Sequence, residues 1–216
     1  MKKLNAWLVL LAGLFIIAFG VASIIRADVG VLPTTCLPYV LSNVFGITVG
    51  EAIIIFYVIL LTGQLVVLRK KCNIVQLLQI PIGLSFGYIT DFALFVLQDI
   101  SFSGSLTRWI LFLAGVLISA IGVSLEVIAG VGTLPTEGFV IAVSKVYPIR
   151  FGTMKIIFDL CLVLISLIVS LISLHHVIGI REGTLLSAIL LGLFSRYIMN
   201  IYQKCCDKKD RHIEER

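Results

Sequence analysis

Glu126, Asp91 and Asp159 stand inside long apolar stretches of this 216-residue chain. An ionised side chain is expensive there, so an acid in such a place marks a proton relay, a cation contact or a pair with a base. Lys155 precedes Asp159 by four residues, the spacing of a helical ion pair, and we read that pair as structural. Glu126 is the first candidate for proton coupling and Asp91 the second. Arg26 ends another apolar stretch, where it can bind an anionic group or snorkel to an interface. Glu51 opens a stretch and suits the positive end of a helix dipole. Gln64, Gln76 and Gln79 are uncharged groups of the kind that bond one helix to another.

A second set of residues suggests anion chemistry. Gly30-Val-Leu-Pro33-Thr34 recurs as Gly132-Thr-Leu-Pro135-Thr136. Proline lacks an N–H and fits the first turn of a helix, so Pro33 and Pro135 open short helices over 34–45 and 136–147. Gly30 and Gly132 allow a positive φ at the turn into each. Thr34 and Thr136 place hydroxyls in the first turn, near free backbone N–H groups. A helix N-terminus carries such groups and a partial positive charge, which suits a carboxylate. The copies then diverge: Thr35 and Cys36 become Glu137 and Gly138, Ile24 becomes Glu126, and Arg26 and Asp28 become Ile128 and Gly130. A cation at one break and acids at the other could grip a zwitterion or couple protons. We expect a cavity lined by Thr34, Thr35, Thr136, Glu137 and Glu126, with Arg26 and Asp91 close by. The candidate substrate-binding set is Gly30, Pro33, Thr34, Thr35, Gly132, Pro135, Thr136, Glu137 and Arg26.

The elements that hold these residues are membrane helices. Hydrophobic residues make up 59% of the chain, charged residues 13%, and the mean hydropathy is +1.11. Soluble domains carry about 25% charged residues. Stretches of about 20 apolar residues span a bilayer. They are found at 5–26, 50–68, 75–97, 107–128, 152–174 and 183–203, while 34–45 and 136–147 are too short to cross and read as re-entrant or interfacial. With the N-terminus inside, Lys2, Lys3, Arg69, Lys70, Lys71, Lys145, Arg150 and the tail from Lys204 all gather on the inner side, and both ends are expected in the cytoplasm. The five cysteines have neither metal-ligand spacing nor a disulfide framework. No motif of hydrolysis, metal binding or nucleotide binding is present, so no catalytic residue, metal or cofactor is expected, and the chain is not read as an enzyme. The formal charge of +5 sits at segment ends and does not point to nucleic acid.

The chain aligns with itself at a shift of 102 residues, without a gap, with 19 identities over residues 12–56. Three spans per repeat is odd, so the second repeat must be inverted. The expected fold is an all-α integral membrane protein of six transmembrane helices, arranged as two inverted three-helix repeats, each with a broken or re-entrant half-helix. Residues 1–104 form the first repeat, 105–203 the second, and 204–216 a cytoplasmic basic tail. Small residues repeat along spans one and four (Gly13 and Gly20, Gly115 and Gly122), and we expect these two helices to cross at the centre.

In length, in its duplicated Gly-x-Leu-Pro-Thr breaks and in Gly50 and Gly152 opening the following spans, the chain resembles the YczE/YitT-like family of small bacterial integral membrane proteins. The resemblance implies an architecture and a bacterial inner-membrane setting, and no substrate or site residue. Paired helix breaks in inverted repeats are the pattern of secondary transporters. The expectation is a transporter of a small polar, carboxylate-bearing solute by alternating access. The alternatives are a substrate-capture subunit of an energy-coupling-factor importer and a non-transporting membrane partner protein. The expected partners are the lipid bilayer, the solute, and a second copy of the chain or an ATPase module.

Overall fold

The computed structural model describes residues 3–69, 74–99 and 104–214, with side chains described for 4–69, 76–99 and 104–204. Lys2, Lys70 and Lys71, and the side chains of Lys3 and of the tail beyond Lys204, lie outside that set. The described residues are all helical or connecting, in the order α1 (Lys3–Ala27), α2 (Pro33–Phe45), α3 (Val49–Leu68), α4 (Ile74–Val96), α5 (Ser105–Ala129), α6 (Pro135–Val146), α7 (Phe151–Leu174) and α8 (Glu182–Glu214). Six of them, all but α2 and α6, are long and apolar enough to cross a membrane. The two short helices begin at Pro33 and Pro135, where φ and the missing N–H of proline favour a first turn. Nothing interrupts α8 after its apolar part, and it continues as helix to Glu214.

Helix α1 crosses α5 at the centre, and glycine makes the crossing possible. A Cβ on Gly13 would lie 3.0 Å from the Gly122 carbonyl oxygen, and one on Gly122 would lie 2.8 Å from that of Gly13. Gly20 and Gly115 face each other in the same way, at 2.8 and 2.9 Å. Low residue numbers on one helix meet high numbers on the other, so α1 and α5 are antiparallel. Without a hydrophobic drive between helices in lipid, such close backbone approach supplies much of the attraction.

Other contacts give every helix a direction. Arg26 near the end of α1 donates to the Leu94 carbonyl near the end of α4, so these two run parallel. Asp91 on α4 receives Gly50 N–H at the start of α3, while Gln64 and Gln79 meet at the other end, so α3 and α4 are antiparallel. The α7–α8 connection meets Asp28 at the end of α1 through Arg181. Both described ends of the chain therefore lie at the face where α1 starts, the terminal face; the opposite one is the far face. Helices α2 and α6 are each clamped between α3 and α7.

Pairs of packed helices recur when the halves are exchanged: α1 with α4 and α5 with α8, α2 with α7 and α6 with α3, α2 with α3 and α6 with α7. The exception is α3 with α4. These pack along one another, whereas α7 and α8 have no comparable interface.

Candidate functional site

The second break is the more heavily furnished. Helix α5 ends at Ala129, and Gly130 follows in the left-handed region at φ 62°, sending its N–H back to the Glu126 carbonyl. The chain then turns inward between α4 and α3. Pro135 lies 3.5 Å from the position a Cβ would take on Gly83 of α4, and Gly138, one turn on, lies against Gln79, one turn nearer the start of α4. Helix α6 thus starts inside the protein and runs back to the terminal face, as a re-entrant half-helix does. Gln64 Nε2 donates to Gln79 Oε1 at 2.9 Å and to the Pro135 carbonyl at 3.2 Å. This amide pair, fully buried at Gln64 and 3% exposed at Gln79, fixes the half-helix to α3 and α4.

Glu126 closes the break. It is 2% exposed, and its Oε1 accepts the Leu134 N–H at 2.7 Å. Leu134 is the N-cap of α6 and has no side-chain cap of its own. The carboxylate from α5 therefore sits where the α6 macrodipole favours negative charge. The N-terminus expected to receive a ligand carboxylate is, in this conformation, held by the protein's own.

From that point a polar chain runs to α7. The Thr136 hydroxyl donates to Glu137 Oε2 at 2.6 Å. Glu137 Oε1 lies 3.8 Å from Lys155 Nζ, which donates to Asp159 Oδ1 at 2.8 Å. The expected Lys155–Asp159 pair is present, and it also reaches Glu137. Among Glu126, Glu137, Lys155 and Asp159 there are three acids and one base, held inside or beside helices of membrane-spanning length. That arrangement can hold a proton or a cation, and Lys155 is the one cationic side chain among them.

The first break is built differently. Asp28, the counterpart of Gly130, is also left-handed, at φ 53°. Gly30 has φ 147° and packs on Thr184, whose backbone nitrogen lies 2.6 Å from the point where a Cβ on Gly30 would stand. Two backbone bonds, Val31 N–H to the Gly179 carbonyl and Gly183 N–H to the Val29 carbonyl, stitch the loop to the α7–α8 connection. Asp28 adds ion pairs to Arg108 at 3.5 Å and Arg181 at 3.1 Å, all three about half exposed at the far face.

These contacts correct several sequence expectations. Gly132 does not take a positive φ; the left-handed residue is Gly130, and Gly132 is small because the Ile82 side chain comes to 2.7 Å of where its Cβ would stand. The Thr136 hydroxyl does not meet a free N–H group; it donates to Glu137. Asp91 and Arg26 lie at the far face, at the other end of the molecule from Glu126. There Asp91 accepts the Thr48 hydroxyl at 2.6 Å and the Gly50 N–H at 2.7 Å, closing the start of α3, and Arg26 bonds the end of α4. Two cavities, of about 180 and 30 Å³, are lined by none of Thr34, Thr35, Thr136, Glu137 and Glu126. The second break is closed by Glu126 and the first by the α7–α8 connection, and the residues expected around one cavity fall into two groups. Thr34, Thr35, Pro33, Gly30 and Arg26 belong to the first, and Gly132, Pro135, Thr136, Glu137 and Glu126 to the second.

Residues 4–200 match a family of unknown function, DUF6198. The chain belongs to DUF6198. It is 29% identical over 198 residues to the uncharacterized membrane protein YczE of Bacillus subtilis (strain 168), covering 88% of this chain and 84% of that one. It is 27% identical over 204 residues to the uncharacterized protein YyaS of the same organism, covering 92% and 94%. No solved structure matches. The DUF6198 match takes in both breaks, the first five candidate spans and the sixth as far as residue 200, so the half-helix closed by Glu126 lies within the matched region.

Proposed function

We propose that the protein is a secondary transporter of a small carboxylate-bearing solute, coupled to protons at Glu126. The observation that supports this reading is the Glu126 bond to Leu134 N–H at the buried start of α6. A carboxylate there is the internal equivalent of a bound solute carboxylate. If Glu126 takes up a proton, its oxygen becomes a poorer acceptor, and a solute carboxylate can replace it with no change of charge at the helix end. One proton and one anion then move together, and Lys155 lies nearby to meet the anion.

An inverted repeat is part of the proposal. The Gly13–Gly122 contact becomes the Gly115–Gly20 contact under the 102-residue shift, and Gly30 on Thr184 becomes Gly132 on Ile82. Exchange of the two halves' arrangements would open the breaks in turn, the general scheme for repeats of this kind. The terminal face is assigned to the cytoplasm of a bacterial cell membrane because the sequence gathers its Lys and Arg residues there.

The experiment is uptake into proteoliposomes under an imposed pH gradient, with a panel of radiolabelled organic and amino acids. The wild type should accumulate one of them at acid outside pH, and Glu126→Gln should bind it without dependence on pH. A Glu126→Gln protein that keeps full proton-driven accumulation would remove Glu126 from the coupling. A wild type that moves no member of the panel and is stabilised by none would remove the transport reading.

A further inference from the structure

The larger cavity lies between α1 and α4, away from the polar site, and the other half of the chain shows what it lacks. Its walls include Trp7, Leu10 and Leu14 of α1 and Pro81, Ile82 and Ser85 of α4. Under the 102-residue shift these become Trp109, Phe112, Val116, Gly183, Thr184 and Ser187, at the contact of α5 with α8. That second groove is filled. Phe112 is fully buried, stacks edge-on to Trp109 at 5.7 Å, and comes to 2.9 Å of the point where Gly183 would carry a Cβ. In the first groove leucine replaces the phenylalanine, and Pro81 replaces the glycine that lets the helix close in. About 180 Å³ remains open.

We propose that this groove binds one acyl chain of an anionic phospholipid from the leaflet at the terminal face. An apolar cavity of roughly 150 Å³ stays dry and takes up a hydrocarbon guest. The groove is apolar and reaches the lipid-facing surface, since Trp7 is 37% and Leu11 44% exposed. It runs from Trp7 to Leu14, about 10 Å along α1. Trp7 stands one turn from the start of α1, at the depth where indole rings border headgroups. In the sequence Lys2 and Lys3 precede Trp7 and Lys70 and Lys71 precede α4, so basic residues lead into both helices of the groove. Surface charge of that sign attracts anionic headgroups. Ile82 forms one wall of the groove and also packs on Gly132, so a chain in the groove braces the second break from behind. The lipid site stands whether or not the protein transports.

The test uses the full chain in detergent with phosphatidylglycerol added, read by native mass spectrometry. The wild type should retain one phosphatidylglycerol at collision energies that strip all others. Leu10→Phe, which copies Phe112, and Ser85→Leu, which fills the groove from the other wall, should both lose it. Leu117→Phe, on the exposed face of α5, should keep it. In a second arm, Trp109→Phe leaves Trp7 as the one fluorophore of its kind, and phosphatidylglycerol brominated along its acyl chain is mixed into unlabelled bilayers. Trp7 quenching should saturate at a low brominated fraction in the wild-type groove and rise only linearly with Leu10→Phe. Retention of the lipid by both filled variants, linear quenching without them, or equal retention of phosphatidylethanolamine would overturn the proposal.

Discussion

Substituting alanine for Gly20 tests the central crossing with a single carbon atom. That Cβ would stand 2.7 Å from Ser119 N and 2.8 Å from the Gly115 carbonyl oxygen, against 3.4 Å for an ordinary contact. The Ser119 hydroxyl, closer still, can rotate away, but these two obstacles are backbone and no rotamer change relieves them. The helices must separate locally by about 0.7 Å, which forfeits a quarter to a half of the dispersion attraction along the contact. Overpacking of this kind costs about 1–3 kcal/mol, or a 5- to 150-fold shift toward the unfolded form. Gly192 of α8 is the control, because a Cβ there meets nothing within 4 Å. Its replacement by alanine removes no contact and gains up to about 1 kcal/mol of helix propensity. Both variants would be unfolded by sodium dodecyl sulfate titration in mixed micelles and followed by circular dichroism. Gly20→Ala should lower the midpoint and Gly192→Ala should leave or raise it. Equal midpoints for the two would show that the α1–α5 contact is not a tight junction.

Asp91→Asn should lower the same midpoint, because two charge-assisted bonds at the start of α3 become weaker neutral ones, at about 1–3 kcal/mol; it should leave the pH dependence of uptake intact, and a loss of that dependence would return Asp91 to the coupling role. Lys155→Met should destabilise the protein by leaving Glu137 and Asp159 without their base, and the added change Asp159→Leu should restore part of the loss; a double variant no better than the single one would show that the three groups do not act together. Asp28→Asn should change the midpoint by no more than about 1 kcal/mol, since its partners are half exposed and screened by water, and a larger effect, persisting in high salt, would mark the far-face ion pairs as a structural clasp.

The spans are legible in the sequence because length and hydropathy alone define them, and the starts of α2 and α6 because proline has few other places in a helix. The α1–α5 crossing follows from glycines repeated every seven residues, which no lipid-facing helix requires. The break geometry is harder. Sequence identity pairs Gly30 with Gly132, but backbone conformation pairs Asp28 with Gly130, and an aspartate in the left-handed region gives little warning of itself. The seat of Glu126 is hidden for a different reason. A side chain reaching from the last turn of α5 to Leu134 N–H, eight residues on, depends on how tightly the intervening loop folds back, and nothing in the local pattern sets that. Tyr57 gives no signal at all: it reads as one more apolar residue of α3, yet its ring wall meets Gly83 beside Pro135. The Gln64–Gln79 pair is recognisable as helix packing, and its contact with Pro135 is not, because that requires the half-helix to be in place first.

The antiparallel crossing of α1 and α5 also sets the order of events in synthesis. Residue 13 leaves the ribosome 102 positions ahead of residue 115, its counterpart. At about 5–20 residues per second, the glycine face of α1 waits roughly 5–20 s in the bilayer before α5 exists to cover it. During that interval the one protein surface of its kind is the same face of another newly made α1, inserted in the same direction and so unable to reproduce the antiparallel crossing. Prompt insertion of the second half removes that competitor, so a shortened product ending before α5 should be found as mismatched pairs instead of stable monomers.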